Sequence, residues 1–416
     1  MRFFSDPLYR NSFFLILTAG LMAVTGFAFW VLAARLYPAE DVGIAAAAIA
    51  LAQLVAMFSR LGFDMGSIKF VHELDSGKVL RNSLTVVFLI SLIASSVVVS
   101  QIGLISKKTA IILVFPYNVY FVFLVVAICT SGIICGGFFV AIRNTKNSFI
   151  QAISSTFRLV ILPVIVFAGA IGVLFSFSVT PLISTFIGLI LLKRAGYSFK
   201  PELDFQLVRS MFSYSFSNYI SVVLEMLPGF VLPIMVVNVL GAKENAYFYI
   251  AWAIAGLLIT IPRSTSMSLF AECSYSWTEV KRKVFRAMKF ITLFVIPGIA
   301  FIYFAGNFLL SFFGKAYSEN SLELLKVLVF AALPYSVNTV YAAICRARKR
   351  MGEVIAIFFT VSSITLASAY IMLGRIGLIG AGYAWLMGNF AAIVLVAFLA
   401  FRSVGFSLPV VFREVV

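Results

Sequence analysis

The sequence predicts an all-α polytopic membrane protein with about twelve transmembrane helices, arranged as two six-helix lobes around a central cavity. Hydrophobic residues make up 62% of the 416 residues, charged residues only 12%, and the mean hydropathy is +1.06. A soluble domain is about 45–50% apolar and ~25% charged, so the composition excludes an ordinary soluble protein. The net charge of +16 is spread over alternate short connections rather than one continuous face. This distribution reflects membrane topology and predicts no nucleic-acid partner.

Apolar runs of about 20 residues, the length that crosses a ~30 Å hydrocarbon core, recur along the whole chain. The first run lacks a cleavable signal pattern and continues into a full span, so we interpret it as the first helix. The longest polar connection, 193–209, falls at the midpoint and predicts an N-terminal lobe, 1–200, and a C-terminal lobe, 201–416. In order, the predicted spans are 12–34, 42–62, 82–105, 118–141, 148–168, 172–192, 214–238, 247–270, 284–305, 324–345, 354–373 and 377–401.

The distribution of basic residues predicts the orientation of these spans. Cytoplasmic connections carry an excess of lysine and arginine, and most of the basic residues fall in the connections on the side of the N-terminus. We therefore expect a multi-pass protein of the cytoplasmic membrane with both termini in the cytoplasm. The opposite connections hold only Arg35, Lys107, Lys108, Lys243, Lys315 and Arg375.

The seventh and eighth predicted spans form a hairpin, and each arm carries a charge. Glu225 lies near the middle of the first arm, and Arg263 follows Pro262 in the second. Asn218, Ser221 and Glu225 share one helical face. A charge near the bilayer centre costs roughly 2.5–3.5 kcal/mol on insertion scales, so such residues face a protein interior or a wet cavity. Two interpretations stay open: a substrate path, or a structural ion pair between Glu225 and Arg263.

Arg158 is central in the fifth predicted span, with Ser154 and Gln151 four and seven residues before it. A guanidinium can bind two pyrophosphate oxygens at once, which makes Arg158 a candidate anion-binding residue. The alternative is an arginine whose hydrogen bonds are satisfied by backbone carbonyls at a helix break.

Two further arginines lie at the ends of the first two spans. Arg60 precedes Asp64 by one helical turn, so it is either a substrate ligand or one half of a local ion pair. Arg35 ends the first span, where its side chain can reach lipid headgroups.

Three segments resemble polysaccharide flippases of the Wzx type, which belong to the multidrug/oligosaccharidyl-lipid/polysaccharide exporter superfamily. These are LGAKENAYFYIAW at 240–252, SLFAE at 268–272 and ARLYPAEDVG at 34–43. Two shorter segments within these motifs echo each other: 36–42 and 240–246. Each follows the first helix of its half of the chain, as expected for parallel repeats. The resemblance implies two lobes that alternate access. It also implies a cavity lined by arginines from helices 1, 2 and 8, where Arg35, Arg60 and Arg263 lie.

The functional hypothesis is a flippase for polyprenyl-pyrophosphate-linked oligosaccharide, which moves from the inner to the outer leaflet. Arg158 and Arg263 would screen the pyrophosphate, and Glu225 would couple transport to H⁺ or Na⁺. Membrane lipids and other polysaccharide-assembly proteins are the expected partners. The alternatives are a cation-coupled multidrug exporter of the same superfamily and a non-transporting component of an envelope-assembly complex. Because no nucleotide-binding loop, metal cluster or catalytic triad is visible, we expect no enzyme activity, no cofactor and no metal.

Overall fold

The computed structural model describes residues 7–105, 117–275 and 277–407, and every element in these ranges is helical. The predicted outer loop with Lys107 and Lys108, and the predicted cytoplasmic ends at 1–6 and 408–416, lie outside the described residues. The helices of the first half are α1 (Pro7–Leu36), α2 (Ala39–Arg60), α3 (Phe63–Phe70), α4 (Ser76–Ile105), α5 (Tyr117–Gly132), α6 (Phe139–Ala141), α7 (Thr145–Ile153), α8 (Phe157–Val164) and α9 (Gly169–Arg194). Those of the second half are α10 (Phe205–Val239), α11 (Ala242–Tyr275), α12 (Val280–Ser311), α13 (Lys315–Phe330), α14 (Ala332–Ala347), α15 (Met351–Ile376) and α16 (Ile379–Ser407).

Ten helical segments among the described residues are long and apolar enough to cross a membrane, which makes the chain a multi-pass membrane protein. They correspond to ten of the predicted spans. The segments are Phe13–Leu36, Ala39–Arg60, Ser76–Gln101, Val166–Arg194, Phe205–Val239, Ala242–Ser274, Val280–Ser311, Lys315–Ala347, Met351–Ile376 and Ile379–Phe401.

The other two predicted spans, 118–141 and 148–168, are interrupted helices. A π-helical stretch, Ile133–Phe138, follows α5, where Gly137 lets α3 approach so closely that a Cβ would lie 2.6 Å from the Asp64 carbonyl oxygen. A 3₁₀ turn, Ser154–Thr156, separates α7 from α8, and the Thr156 hydroxyl donates to the Ile153 carbonyl at 2.8 Å. Such side-chain bonds compete with the helical ladder. These two places are helical but irregular, and the count of twelve spans remains a prediction.

The hairpin between α10 and α11 is tighter than the sequence predicted. The predicted spans 214–238 and 247–270 leave a connection of 239–246 between them, yet α10 continues to Val239 and α11 already begins at Ala242, so only Leu240 and Gly241 connect the two helices. Gly241 has a φ of 110°, a conformation that side chains rarely adopt, and this lets the chain reverse within two residues.

The chain divides into two compact units. Unit 1 comprises Met1–Tyr219 and Pro233–Ala246, and unit 2 comprises Ile220–Leu232 and Tyr247–Val416. The alanine-rich helix α2 forms the centre of unit 1, where its small side chains let α4, α5 and α9 pack closely around it. In unit 2, α16 packs against α13, α14 and α15. The division into lobes 1–200 and 201–416 remains a prediction.

The connection 195–204 is bound to the start of α4 within unit 1. Lys78 and Asp204 form an ion pair at 2.6 Å, and Arg81 and Glu202 form another at 2.6 Å. The Asp204 carboxylate also accepts hydrogen bonds from the first backbone N–H groups of α10, which makes Asp204 the N-cap of that helix. The connection is thus held in place at both of its acidic residues.

The corner after α1 and the corner after α10, whose sequences echo each other, are in contact inside unit 1. The buried Asn245 side chain donates a hydrogen bond to the Gly43 carbonyl at 2.7 Å. A Cβ at Gly43 would overlap the backbone carbonyl group of Ala242. Glycine is therefore required at position 43 for this close approach.

Candidate functional site

The candidate site is centred on Glu225, whose carboxylate lies in the interior of unit 2. The side chain is only 8% exposed although it belongs to a charged residue. One carboxylate oxygen, Oε1, accepts a hydrogen bond from the Tyr335 hydroxyl at 2.7 Å and lies 3.4 Å from Nε of Arg263. The other, Oε2, lies 3.7 Å from Nη2 of Arg346. Buried charges require such partners, and Glu225 has three.

Arg263 is the most exposed member of this cluster. It follows Pro262 in the middle of α11, and its side chain is 47% exposed. The structural ion pair with Glu225, one of the two interpretations of the sequence, is present. Because the guanidinium contacts Glu225 through Nε and remains half exposed, the pair does not prevent a role for Arg263 in binding.

Tyr335 and Arg346 come from α14, and sequence reasoning missed both. Arg346 lies one residue beyond the predicted span 324–345, whereas α14 continues to Ala347 and brings this residue to Glu225. The two residues are eleven positions apart, which is three helical turns, so they share one face of α14. That spacing is the signal in the sequence that would have suggested the pair. Arg346 also reaches the Ser221 hydroxyl at 3.5 Å and lies over the ring of Phe358 at 5.8 Å.

The cluster has an excess of positive charge. One carboxylate faces two guanidinium groups, so the side chains sum to one positive charge in a largely buried place. Such a site favours an anion that brings more negative charge than Glu225 alone.

Aromatic rings continue from this cluster through unit 2. The Tyr335 ring lies 6.3 Å from that of Trp385, and Trp385 lies 5.2 Å from Trp252 in an edge-on arrangement. Phe248 stacks on Trp252 at 5.6 Å. Tyr335 and Trp385 are each 4% exposed, whereas Trp252 is only half-buried.

Arg158 and Gln151 lie in unit 1 and are buried. Arg158 is 7% exposed, donates to the Thr25 hydroxyl at 3.0 Å and lies 5.4 Å from the ring of Phe29. Gln151 donates its side-chain amide to the Ser184 carbonyl at 2.8 Å. Each side chain thus connects one helix to another, Arg158 to α1 and Gln151 to α9.

The remaining predicted site residues also lie in unit 1, at separate places. Arg60 pairs with Asp64 at 3.7 Å, the local ion pair that was its alternative interpretation. Arg35 is exposed at the end of α1, and Asn218 is half-buried on α10. Among the predicted site residues, the structure therefore brings together Glu225 and Arg263.

The architecture is that of known membrane transporters. An inward-facing multidrug resistance MATE family transporter of the MOP superfamily superposes with a TM-score of 0.76, covering 93% of this chain and 96% of its own at 14% identity. The lipid II flippase MurJ, in an inward closed conformation, superposes with a TM-score of 0.75, covering 93% of this chain and 87% of its own at 16% identity. At these identities the superpositions establish the fold. A MATE transporter in an outward-facing conformation superposes less well, with a TM-score of 0.61.

The sequence comparison identifies the family. The family model described as polysaccharide biosynthesis protein matches residues 8–227, which is more than half of the chain. The chain belongs to this polysaccharide biosynthesis protein family, and the resemblance seen in the sequence motifs is confirmed at that level. No curated protein sequence matches the chain.

Proposed function

We propose that this protein is a transporter that flips polyprenyl-pyrophosphate-linked oligosaccharide from the inner to the outer leaflet of the cytoplasmic membrane by alternating access. Membership of the polysaccharide biosynthesis family and a fold shared with a lipid II flippase support the proposal. In this proposal, six-helix lobes at 1–200 and 201–416 surround a central cavity, and both termini are cytoplasmic. The lipid tail stays among membrane lipids while the sugar crosses through the cavity.

The single observation that carries the proposal is the half-exposed Arg263 beside the buried carboxylate of Glu225. A pyrophosphate can accept bidentate hydrogen bonds from guanidinium groups and carries more negative charge than a carboxylate. It would therefore compete with Glu225 for Arg263 and Arg346. Because both arginines already face one acceptor, they are oriented toward the position that a pyrophosphate would take.

This competition suggests how an ion could be coupled to the cargo. A proton bound by Glu225 would remove the negative charge that holds Arg263 and Arg346, which would free both guanidinium groups for the pyrophosphate. Release of that proton on the outer side would restore the ion pairs and favour release of the cargo, so in this scheme the proton and the cargo cross in the same direction. Na⁺ bound at the carboxylate would act in the same direction, so the coupling ion is H⁺ or Na⁺.

The other predicted residues are proposed to act along the path of the cargo. Arg35 and Arg60 are proposed to contact the headgroup near the ends of α1 and α2, and Asn218 to contact it on α10. Arg158 and Gln151 are buried between helices, so a direct contact with the cargo requires these helices to separate during transport.

A cation-coupled multidrug exporter is the alternative. It is less well supported because the carboxylate of the cluster already faces two guanidinium groups and offers a cationic drug no net negative charge.

The test is translocation of a lipid-linked oligosaccharide in proteoliposomes under an imposed proton gradient. We expect Arg263→Ala to lower the flux about 10- to 100-fold, the equivalent of one charged hydrogen-bonded contact of roughly 1.5–3 kcal/mol. Glu225→Gln should abolish the dependence on the gradient. Arg375→Ala, which removes an exposed positive charge at the end of α15, is the matched control and should leave the flux unchanged.

Two results would contradict the proposal. Full flux in Arg263→Ala would remove this residue from the substrate path. A wild-type protein that moves an organic cation but no lipid-linked oligosaccharide would favour the exporter.

A further inference from the structure

The aromatic rings next to the charged cluster include a tryptophan that is only half-buried. Trp252 on α11 contacts Trp385 with its ring centroid 5.2 Å away, while Trp385 continues to Tyr335, the hydrogen-bond donor to Glu225. Its indole also lies against α10, where a Cβ at Gly229 would be 3.5 Å from Cζ2. Gly229 is one helical turn after Glu225, so the same face of α10 carries the carboxylate and supports the indole.

Trp252 and Arg263 share one face of α11. They are eleven residues apart, which corresponds to three helical turns and a separation of about 16 Å along the axis. This separation is longer than one sugar ring. A ligand that holds Arg263 with a pyrophosphate and contacts Trp252 must therefore extend beyond its first sugar.

The aromatic cluster lacks one hydrogen-bond acceptor. Within the described residues, the buried indole N–H of Trp385 has no partner. A buried donor without a partner is costly, and a ligand that brings an acceptor would offset that cost. A hydroxyl-bearing ligand at Trp252 would bring an acceptor to the neighbourhood of this N–H group.

We propose that Trp252 is a saccharide-stacking subsite, which binds a sugar ring of the lipid-linked oligosaccharide beyond the sugar that carries the pyrophosphate. This inference rests on the proposed function and names the part of the substrate that unit 2 recognises. Phe248 stacks on one face of the Trp252 ring, so the sugar would pack on the opposite face. One face of a pyranose presents C–H groups, which pack on the electron-rich face of an indole, and its hydroxyls form hydrogen bonds at the rim. The binding involves no covalent step.

A purely structural role for Trp252 makes a different prediction. If the indole only fills space between α10 and α16, its loss should affect every substrate to the same extent. If it binds a distal sugar, its loss should affect only substrates long enough to reach it. The length of the saccharide therefore separates the two roles.

The experiment compares two probes in proteoliposomes: undecaprenyl pyrophosphate carrying a trisaccharide, and the same carrier with only the first sugar. We expect Trp252→Leu to lower the flux of the trisaccharide about tenfold, the equivalent of one aromatic contact of ~1.4 kcal/mol, and to leave the monosaccharide unchanged. Arg263→Ala should slow both probes. Trp277→Leu, which removes a 40% exposed indole between α11 and α12, is the matched control and should change neither flux.

Trp252→Phe keeps a ring at this position and covers the case in which Trp252→Leu does not fold. We expect a smaller loss that is again confined to the trisaccharide. A wild-type protein that moves neither probe would refute the proposed function itself. A wild-type protein that moves both, with Trp252 variants that slow both equally or neither, would refute the subsite alone.

Discussion

Replacement of Glu225 by alanine should destabilise the protein by about 3 kcal/mol, a value estimated from its three contacts. The hydrogen bond from Tyr335, at 2.7 Å to a charged acceptor, contributes roughly 1.5–3 kcal/mol. Breaking a buried ion pair costs about 3–5 kcal/mol because the partner charge remains, and the Arg346 side chain is 19% exposed. The N–O distances of 3.4 and 3.7 Å are longer than in the strongest ion pairs, and the Arg263 side chain is half exposed. We therefore take the lower end of the range for a buried ion pair.

The measurement is the free energy of unfolding in mixed micelles, determined by titration with a denaturing detergent. Glu319→Ala is the matched control, because its 3.7 Å pair with Lys315 has side chains that are 60% and 88% exposed. An exposed pair of this kind contributes less than about 1 kcal/mol. A second change, Arg346→Met, should recover part of the loss in Glu225→Ala, because it removes the arginine that is left without a carboxylate.

If Glu225→Ala is no more destabilising than Glu319→Ala, the three contacts of Glu225 do not stabilise the protein as estimated. Additive effects of Glu225→Ala and Arg346→Met would show that the two residues form no ion pair, since residues that form one ion pair must show a coupling energy.

Two other substitutions test the contacts of unit 1. Gly43→Ala should strongly reduce the yield of folded protein, because its Cβ overlaps the Ala242 carbonyl. Gly256→Ala is the control and should be tolerated, because Gly256 faces open space on α11. Equal yields of the two variants in size-exclusion chromatography would contradict the assigned overlap. The hydrogen bond from Lys78 lowers the pKa of Asp204, so the stabilisation by this pair is present at neutral pH and is lost as the pH falls through the folded-state pKa. Asp204→Asn should therefore lower the melting temperature at pH ~7, and this difference should shrink below the ordinary carboxyl pKa of ~3.9 and vanish below the lowered folded-state pKa. A difference that stays constant as the pH falls through this range would contradict the assignment.

Much of the fold follows from local patterns. Long apolar runs determine where spans occur, and a short connection between two of them makes neighbours of the arms of a hairpin. This is why Glu225 and Arg263 could be paired from the sequence. The sequence offered a helix break near Arg158 only as an alternative, and it did not predict where the turn at Ser154–Thr156 and the π-helical stretch after α5 would fall, because both depend on packing against other helices.

The candidate site was only partly predictable. Arg346 sits beside other basic residues near the end of α14, and a charge pattern alone assigns such a residue to the cytoplasmic side. Its contact with Glu225 depends on how α14 packs against α10, which is a tertiary property. The burial of Arg158 against Thr25 and Phe29 also follows from tertiary packing, because a polar stripe on a helix looks the same whether it faces a cavity or another helix.

The contact at Gly43 has an evolutionary consequence. Two side chains that collide can adapt to each other, since one can shrink when the other grows. At this corner the added atom would meet the main chain of Ala242, and no substitution at position 242 removes a carbonyl group. Position 43 has no compensating partner, so relatives that keep this corner should retain glycine there, while the side chains around it are free to vary in pairs.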